Sequence, residues 1–584
     1  MAGGRVKLKL AACLLLGAVL AGAFLLLNGE RSSDSDSTQQ TQYELPASET
    51  EWLWELEHRS NLLGTYGFNR LKSALTAADG ESLESLFADD FKGKIFENPL
   101  TTVLDGREIS AVRQESTGSF TTASSSEFSE RLLALRGTMK TVSSCSIGVK
   151  RISPLIRVEV DGRWTVLSEM WIRGLSEDRR IEVTTLFRME ISPPAKELLS
   201  SSAWIHEFEL LETTVSSSAK VMFDDVTATS GVAASELHDN WTSSHKINNP
   251  GGVYACDFNR DGQTDFLVTD VNPVANGLFQ ATGNGHFKDV TNLIGLGRIK
   301  QTSLSQGNAA FVDLNNDGWL DLVHTEGAVW ENQGGKEFVD RTAETNLFQV
   351  TDHLNTELKS ISVADFDRDG DLDLYVLRRH EMPMSWLQET GAGPGNVLCK
   401  NLGNWQFEDV TSESGTYGHD SLIFTTVWLD ANNDNWPDLA VINEFGDSFL
   451  YVNQQDGRFE HRDMAPKKSD FGSMGVDVGD IDNDGLIDVY VAGMYSKAGS
   501  RIIGNLADGS YPAEVMHRLD SLIDGSELYR NRGDLNFTAQ GEKDHVHNIG
   551  WSWGPALADF NNDGWLDIYA PSGYMSRDRQ KPDG

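Results

Sequence analysis

The sequence predicts a mainly β protein: a propeller of six or seven blades from about residue 218 onward, preceded by a smaller α+β domain over 49–217 and an N-terminal apolar signal or anchor helix. Three observations predict it. A nine-residue acidic phrase occurs six times between residues 257 and 567. Its copies follow one another at intervals of 50 to 79 residues. A second phrase, Phe-x-Asp-Val-Thr, recurs between them. About four short strands at such a period match a propeller blade.

The acidic phrase opens as Asp257, Asn259, Asp261, Gly262 and Asp265, followed by the apolar run Phe266–Val268. Carboxylate or amide oxygens stand at positions 1, 3, 5 and 9, and glycine stands at 6. Oxygen donors at alternate positions converge on one hard cation, and glycine permits the sharp turn, which is the arrangement of a calcium loop. The other copies are Asp313, Asn315, Asp317, Asp321; Asp365, Asp367, Asp369, Asp373; Asp430, Asn432, Asp434, Asp438; Asp480, Asp482, Asp484, Asp488; and Asp559, Asn561, Asp563, Asp567. The fourth has Asn435 in place of glycine, and asparagine tolerates the left-handed backbone. No position-12 glutamate follows, and the residues after position 9 read as a strand, so these are not EF-hands. Several structural Ca2+ ions are expected, with these side chains as ligands.

Phe-x-Asp-Val-Thr appears at Phe223–Thr227, Phe287–Thr291 and Phe407–Thr411, with a looser copy at Phe338–Thr342. An Asn-x-Gly turn precedes most copies: Asn332 to Gly334, Asn401 to Gly403, Asn531 to Gly533. Each unit reads as acidic loop, apolar strand, strand, turn, strand. The sixth unit has its loop but no following Phe-x-Asp-Val-Thr strand. Either the Phe223 segment closes the ring or the chain is C-terminally incomplete. Insertions fall after Arg378 and over roughly Lys497–Ser526, the latter with helical patterning around Met516 and Leu519.

The 584 residues carry a formal net charge of -38, which excludes nucleic acid as a partner, since binding it requires clustered Lys and Arg. Cys13, Cys145, Cys256 and Cys399 form no disulfide or zinc framework. Arg5, Lys7 and Lys9 precede an apolar run from Leu10 to Leu27, so residues 1–29 read as a signal peptide or signal anchor; the greasy Phe24–Leu27 favours the anchor. Charges before the span place the body outside the cytoplasm: membrane-anchored facing the periplasm or extracellular space, or secreted. The membrane is contacted through this segment alone. Residues 30–48 are a polar, flexible linker.

In the 49–217 domain, Trp52–Leu63, Leu71, Leu75, Leu83 and Leu86 keep helical spacing. Ile152–Val160, Trp164–Trp171 and Ile181–Ile191 read as strands, and Trp204–Leu211 as a further strand. Asp89 and Asp90 read as a solvated turn after a helix. The run Glu81–Phe91 followed by strands resembles the nuclear-transport-factor-2-like fold, a cone.

The acidic loops together with Asn-x-Gly and Phe-x-Asp-Val-Thr resemble the FG-GAP/VCBS repeat family over about residues 221–584, within it the cartilage-acidic-protein-like, ASPIC/UnbV-associated subset. No ASPIC/UnbV domain is legible in this sequence. The resemblance implies a calcium-bearing propeller and an extracytoplasmic role in binding or adhesion to a protein or glycan, but no substrate. Phosphate loops, nucleophile elbows and zinc motifs are not found. Arg532-Gly533-Asp534 falls on a repeat turn, His545 and His547 read as strand residues, and Trp551 and Trp553 as packing. A non-enzymatic module is the expectation. A hydrolase with its site on the propeller face or in the N-terminal domain is the alternative.

Overall fold

The computed structural model describes residues 47–573 apart from interior segments, the longest of them 233–251, 297–307 and 379–394. The predicted leader at 1–29 lies outside the described residues. Among the described residues no helix is long and apolar enough to cross a membrane. The chain forms two compact units, Met1–Asp224 with Lys497–Ala513, and Asp225–Ser496 with Glu514–Gly584.

The first unit begins with helix α1 (Ala47–Leu62), a wider turn at Leu63–Phe68, and α2 (Asn69–Ala77). Leu56, Leu63, Leu71 and Leu75 fall on one face and are buried. The short α3 (Gly80–Glu84) is capped by Asp79, whose side chain accepts from the Ser82 amide. Strands β1 (Phe87–Phe96), β2 (Thr101–Asp105), β3 (Ile109–Glu115), β4 (Phe120–Ala123), β5 (Thr141–Pro154), β6 (Trp164–Ser176), β7 (Arg179–Ile191) and β8 (Ile205–Ser218) form one sheet. Its order is β2-β3-β8-β7-β6-β5, with β1 joined in parallel to β8 and antiparallel to β4. Phe68, Phe128, Phe187, Phe208, Trp164 and Trp204 fill the core between helices and sheet.

Two local expectations are corrected. The strand expected over Ile152–Val160 is one only as far as Pro154: it runs over Thr141–Pro154 and stops where Pro154 offers no amide to the ladder. Leu155, Ile156 and Val158 lie exposed in the hairpin turn. Asp89 and Asp90 lie within β1, not in a turn.

The segment Lys497–Ala513 joins this unit from far along the chain. Helix α4 (Lys497–Gly504) packs on β5. Arg501 makes a two-pronged ion pair with Glu57, 2.7 and 2.8 Å, and Asn505 Oδ1 accepts from the Ile152 amide at 3.2 Å.

The second unit is a propeller of five complete four-stranded blades. The first blade is Val253–Cys256, Asp265–Val268, Gly277–Gly283 and His286–Asp289. The second is Ala309–Val312, Asp321–His324, Ala328–Asn332 and Phe338–Asp340. The third is Leu358–Ala364, Asp373–Arg378, Val397–Asn401 and Phe407–Asp409. The fourth is Leu422–Leu429, Asp438–Phe445, Phe449–Asn453 and Phe459–Asp463. The fifth is Ser473–Gly479, Asp488–Gly493, Glu527–Asn531 and Phe537–Ala539. The first strands of successive blades pack against one another.

The expected six or seven blades are not found among the described residues, which hold five. The sixth loop joins only Ala556–Ala558 to Asp567–Tyr569, a two-stranded sheet among the described residues. Counting loops counts hairpins, because the loop needs only the first two strands of a blade. Phe223–Val226 forms no strand, and Phe223 is exposed where Phe338 and Phe407 are buried.

Candidate metal centres

Each acidic loop is the tip of a β-hairpin. The position-9 aspartate opens the second strand and faces the residue just before the loop: Asp265 opposite Cys256, Asp321 opposite Val312, Asp373 opposite Ala364, Asp438 opposite Leu429, Asp488 opposite Gly479, Asp567 opposite Ala558. Hydrogen bonds then order the loop. Oδ2 of Asp257, Asp313, Asp365, Asp430, Asp480 and Asp559 accepts from the position-6 amide at 2.8–3.1 Å. Oδ1 of Asp261, Asp317, Asp369, Asp434, Asp484 and Asp563 accepts from the position-7 amide at 2.9–3.0 Å. Asn259, Asn315 and Asn432 Oδ1 accept from the position-5 amide at 3.0–3.1 Å.

Asp265, Asp321, Asp373, Asp438 and Asp488 are fully buried. Burial pushes Asp321 and Asp373 up to about 7 and Asp438 up to about 6, and neighbouring loop carboxylates push the same way. Asp365, Asp367 and Asp373 bring carboxylate oxygens within 4.8 Å of one another, as do Asp480, Asp482 and Asp488. Asp365 Oδ1, Asp367 Oδ1, Asp482 Oδ1 and Asn561 Oδ1 are withdrawn from solvent and accept no hydrogen bond. Hard oxygens held together, some lacking a donor, fit a calcium ion. The residues at positions 1, 3, 5 and 9 would hold it, and it would supply charge neutralisation and cross-linking.

Position 4 is the site residue that motif reading missed. Arg260, Asn316, Arg368, Asn433, Asn483 and Asn562 all take a left-handed backbone, φ 55 to 59°, as the position-6 residues do. Asparagine at four of the six was the available signal. All of these side chains but Asn562 reach the next loop. Asn316 donates to Gly370 O at 3.1 Å, Asn433 to Gly485 O at 2.9 Å, and Asn483 to Gly564 O at 3.0 Å. Arg260 and Arg368 instead lie over the rings of Trp319 and Trp436, each 5.4 Å from the centroid.

The Asn-x-Gly asparagine is a staple. The Asn401 amide donates to Asp373 Oδ1 at 2.8 Å within its blade. Its Nδ2 donates to Leu314 O, position 2 of the preceding loop, at 3.0 Å. Asn332, Asn453 and Asn531 repeat the bond, to Phe258 O, Phe366 O and Ala431 O, each at 2.8 Å. In Phe-x-Asp-Val-Thr the aspartate caps the turn by accepting from the threonine amide, as Asp289, Asp340 and Asp409 do. The threonine hydroxyl oxygen then accepts from the neighbouring strand.

Outside the loops, Asp90 Oδ1 lies 2.6 Å from His206 Nδ1, and His206 Nε2 lies 3.0 Å from Ser192 Oγ. Arg163 shares the Asp90 carboxylate. The hydrogen bond from His206, then that from Arg163, holds Asp90 down at about 2. A cleft of about 390 Å³ in this unit is lined by residues including Ser143, Arg173, Arg180, Glu182 and Ser217. Arg532-Gly533-Asp534 forms the expected turn, with the Gly533 amide donating to Asn531 Oδ1. The Trp551 and Trp553 ring NH groups are bonded to Met474 Sδ and Gly573 O. His545 lies outside the described residues.

Residues 257–324, 430–491 and 520–570 match the family described as FG-GAP-like repeat. The second unit, with its five complete blades among the described residues, is thus similar to FG-GAP-like repeats over these three segments. The match extends to the repeat, not to a subset of it. No curated protein matches. Among solved structures, a chain in the crystal structure of BBS1N in complex with ARL6DN, soaked with mercury, is similar: 13% identical, covering 41% of this chain and 88% of that one, with a TM-score of 0.19.

Proposed function

We propose that this chain is an exported protein whose calcium-stabilised propeller serves as an extracytoplasmic binding or adhesion module for a protein or glycan. The N-terminal apolar segment anchors it or directs its secretion. The observation that carries the reading is the hydrogen-bonded acidic loop, repeated six times and, from loops two, four and five, hydrogen-bonded by position 4 to the next. An ion in such a loop turns repulsion among carboxylates into a cross-link between strands. At calcium ten times a site's dissociation constant, each adds about 1.4 kcal/mol. The test is thermal unfolding of the protein in millimolar calcium and in chelator, with a calorimetric count of sites. A large stabilisation and several sites are expected. No shift and no binding heat overturn the calcium reading. Immobilised protein screened on glycans and extracellular proteins, with and without calcium, then tests the binding role.

The Ser192–His206–Asp90 line favours a second reading, a hydrolase in the first unit. Two features weigh against it. Pro193 and Pro194 follow the serine and carry no amide hydrogen, so the adjacent backbone offers no oxyanion donor. Asp90 is also shared with Arg163 instead of being reserved for the histidine.

A further inference from the structure

The six loops are not equivalent, and the difference follows a rule. Loops one, two, four and six carry asparagine at position 3: Asn259, Asn315, Asn432 and Asn561. Loops three and five carry aspartate there, Asp367 and Asp482. Those two loops therefore hold four carboxylates at the ligand positions where the others hold three.

The same two loops receive a cation from the third strand of their own blade. Lys400, the residue before the staple Asn401, places Nζ on Asp367 and 3.0 Å from Asp369 Oδ2. Arg530, before the staple Asn531, places Nη1 3.0 Å from Asp482 Oδ2 and 3.5 Å from Asp488 Oδ2. The matching residue is Gln280 in the first blade, Glu331 in the second and Val452 in the fourth, none of them cationic. Glu331 Oε1 accepts from Asn315 Nδ2 at 3.1 Å. Aspartate at position 3 and a basic residue thirty or more positions downstream thus occur together, and the extra carboxylate of loops three and five is offset by that cation; in loop five Arg532 Nη1 also lies 3.8 Å from Asp482 Oδ2.

We propose that Lys400 and Arg530 are built-in counter-cations, and that the propeller therefore has two classes of calcium site: open loops that take the ion directly, and two guarded loops that take it only when the side chain withdraws. The inference rests on the calcium reading above. A guarded loop keeps the same formal charge as an open one, but in calcium-free solution its cation already bridges two of its carboxylates and holds them in place. Among the described residues an open loop has no such bridging cation, and its carboxylates repel until an ion arrives. In a guarded loop the entering ion must displace a unit positive charge from the oxygens it would bind, which weakens affinity by about tenfold or more. Once the lysine or arginine is removed, four carboxylates face the ion and the order inverts.

The experiment is calcium titration calorimetry on the full chain and on its Lys400→Gln and Arg530→Gln variants, which copy the residue at the matching position of the first blade. Hydrogen exchange of the unmodified protein in chelator accompanies it. Two affinity classes are expected in the unmodified protein. Each variant should move one site from the weak class to the tight class, by tenfold or more. In chelator, the turn amides of Gly370 and Gly485 should exchange more slowly than those of Gly262, Gly318 and Asn435. A single class of equal sites, or variants that bind calcium as the unmodified protein does, overturns the proposal while leaving calcium binding intact. Equal exchange across the loops overturns it without any variant. No binding in any of the proteins overturns the calcium reading and this inference with it.

Discussion

The side-chain amide of Asn316, at position 4 of the second loop, donates to the carbonyl oxygen of Gly370, at position 6 of the third, across 3.1 Å, and to Asp371 Oδ1 at 2.5 Å. Asn316 does this with φ at 58°, a conformation that few other side chains tolerate. Backbone strain and a loop-to-loop bond therefore sit on one residue. Asn316→Gly should lose the bonds alone, about 1 kcal/mol, and Asn316→Ala should lose the bonds and add left-handed strain, about 2–3 kcal/mol together. Denaturant unfolding separates the two; equal losses would show that the backbone conformation carries no penalty here.

Asn401 is buried, and its Nδ2 bridges Leu314 O of one blade and Leu372 O of its own. Asn401→Asp keeps the shape and removes both donated bonds while aiming a carboxylate at two carbonyl oxygens. We expect a loss of about 3 kcal/mol or more. Asn401→Ala should cost less than Asn401→Asp, since it leaves the carbonyls unpaired without adding charge. The reverse order, measured by chemical unfolding, would show that the staple is not an amide-specific contact.

His324 is buried in the second strand of the second blade, between Ala309 and Ala328 on the flanking strands. Desolvation pushes it down to about 4, so the folded protein holds it neutral at pH values where the unfolded chain, near 6.5, is protonated. The unfolded state then binds more protons, and stability rises with pH. The contribution is fully present above about pH 6.5 and is lost as pH falls from there toward 4, by roughly 2–3 kcal/mol. His324→Gln should flatten this part of the stability profile relative to the unmodified protein. Parallel profiles would contradict the burial of a neutral imidazole.

Ser192 should not react with a fluorophosphonate probe at a rate above that of an ordinary surface serine, because the proline pair after it leaves no adjacent oxyanion donor. Rapid labelling abolished by both Ser192→Ala and His206→Ala would reverse the ranking of the two functional readings.

How much was legible in advance follows from chain distance. The acidic loop puts its ligands, its turn and its strand entry within nine residues, so spacing alone identified Asp257 through Asp265 and the five copies. The strand Thr141–Pro154 was harder to see, because its start is a serine-rich stretch, Val142-Ser-Ser-Cys-Ser, without alternation. The left-handed position 4 left a trace in four asparagines, and that trace became meaningful only once the next loop was seen to lie against it.

The sequence by itself determined the hairpins: local oxygen spacing, a glycine or asparagine that can turn, and β-branched or aromatic residues after position 9 are properties of neighbouring residues. Tertiary structure decided what depends on distant chain segments. It decided that, among the described residues, six loops make five complete blades and one two-stranded sheet, since a blade needs four strands and a loop only two. It decided that Lys497–Gly504 packs on β5 of the first unit, where Arg501 finds Glu57 across 444 positions. It also decided that Lys400 reaches Asp367 and Arg530 reaches Asp482. The pairing of strands brings these charges together, and no pattern within nine residues can state which loop will already contain a cation.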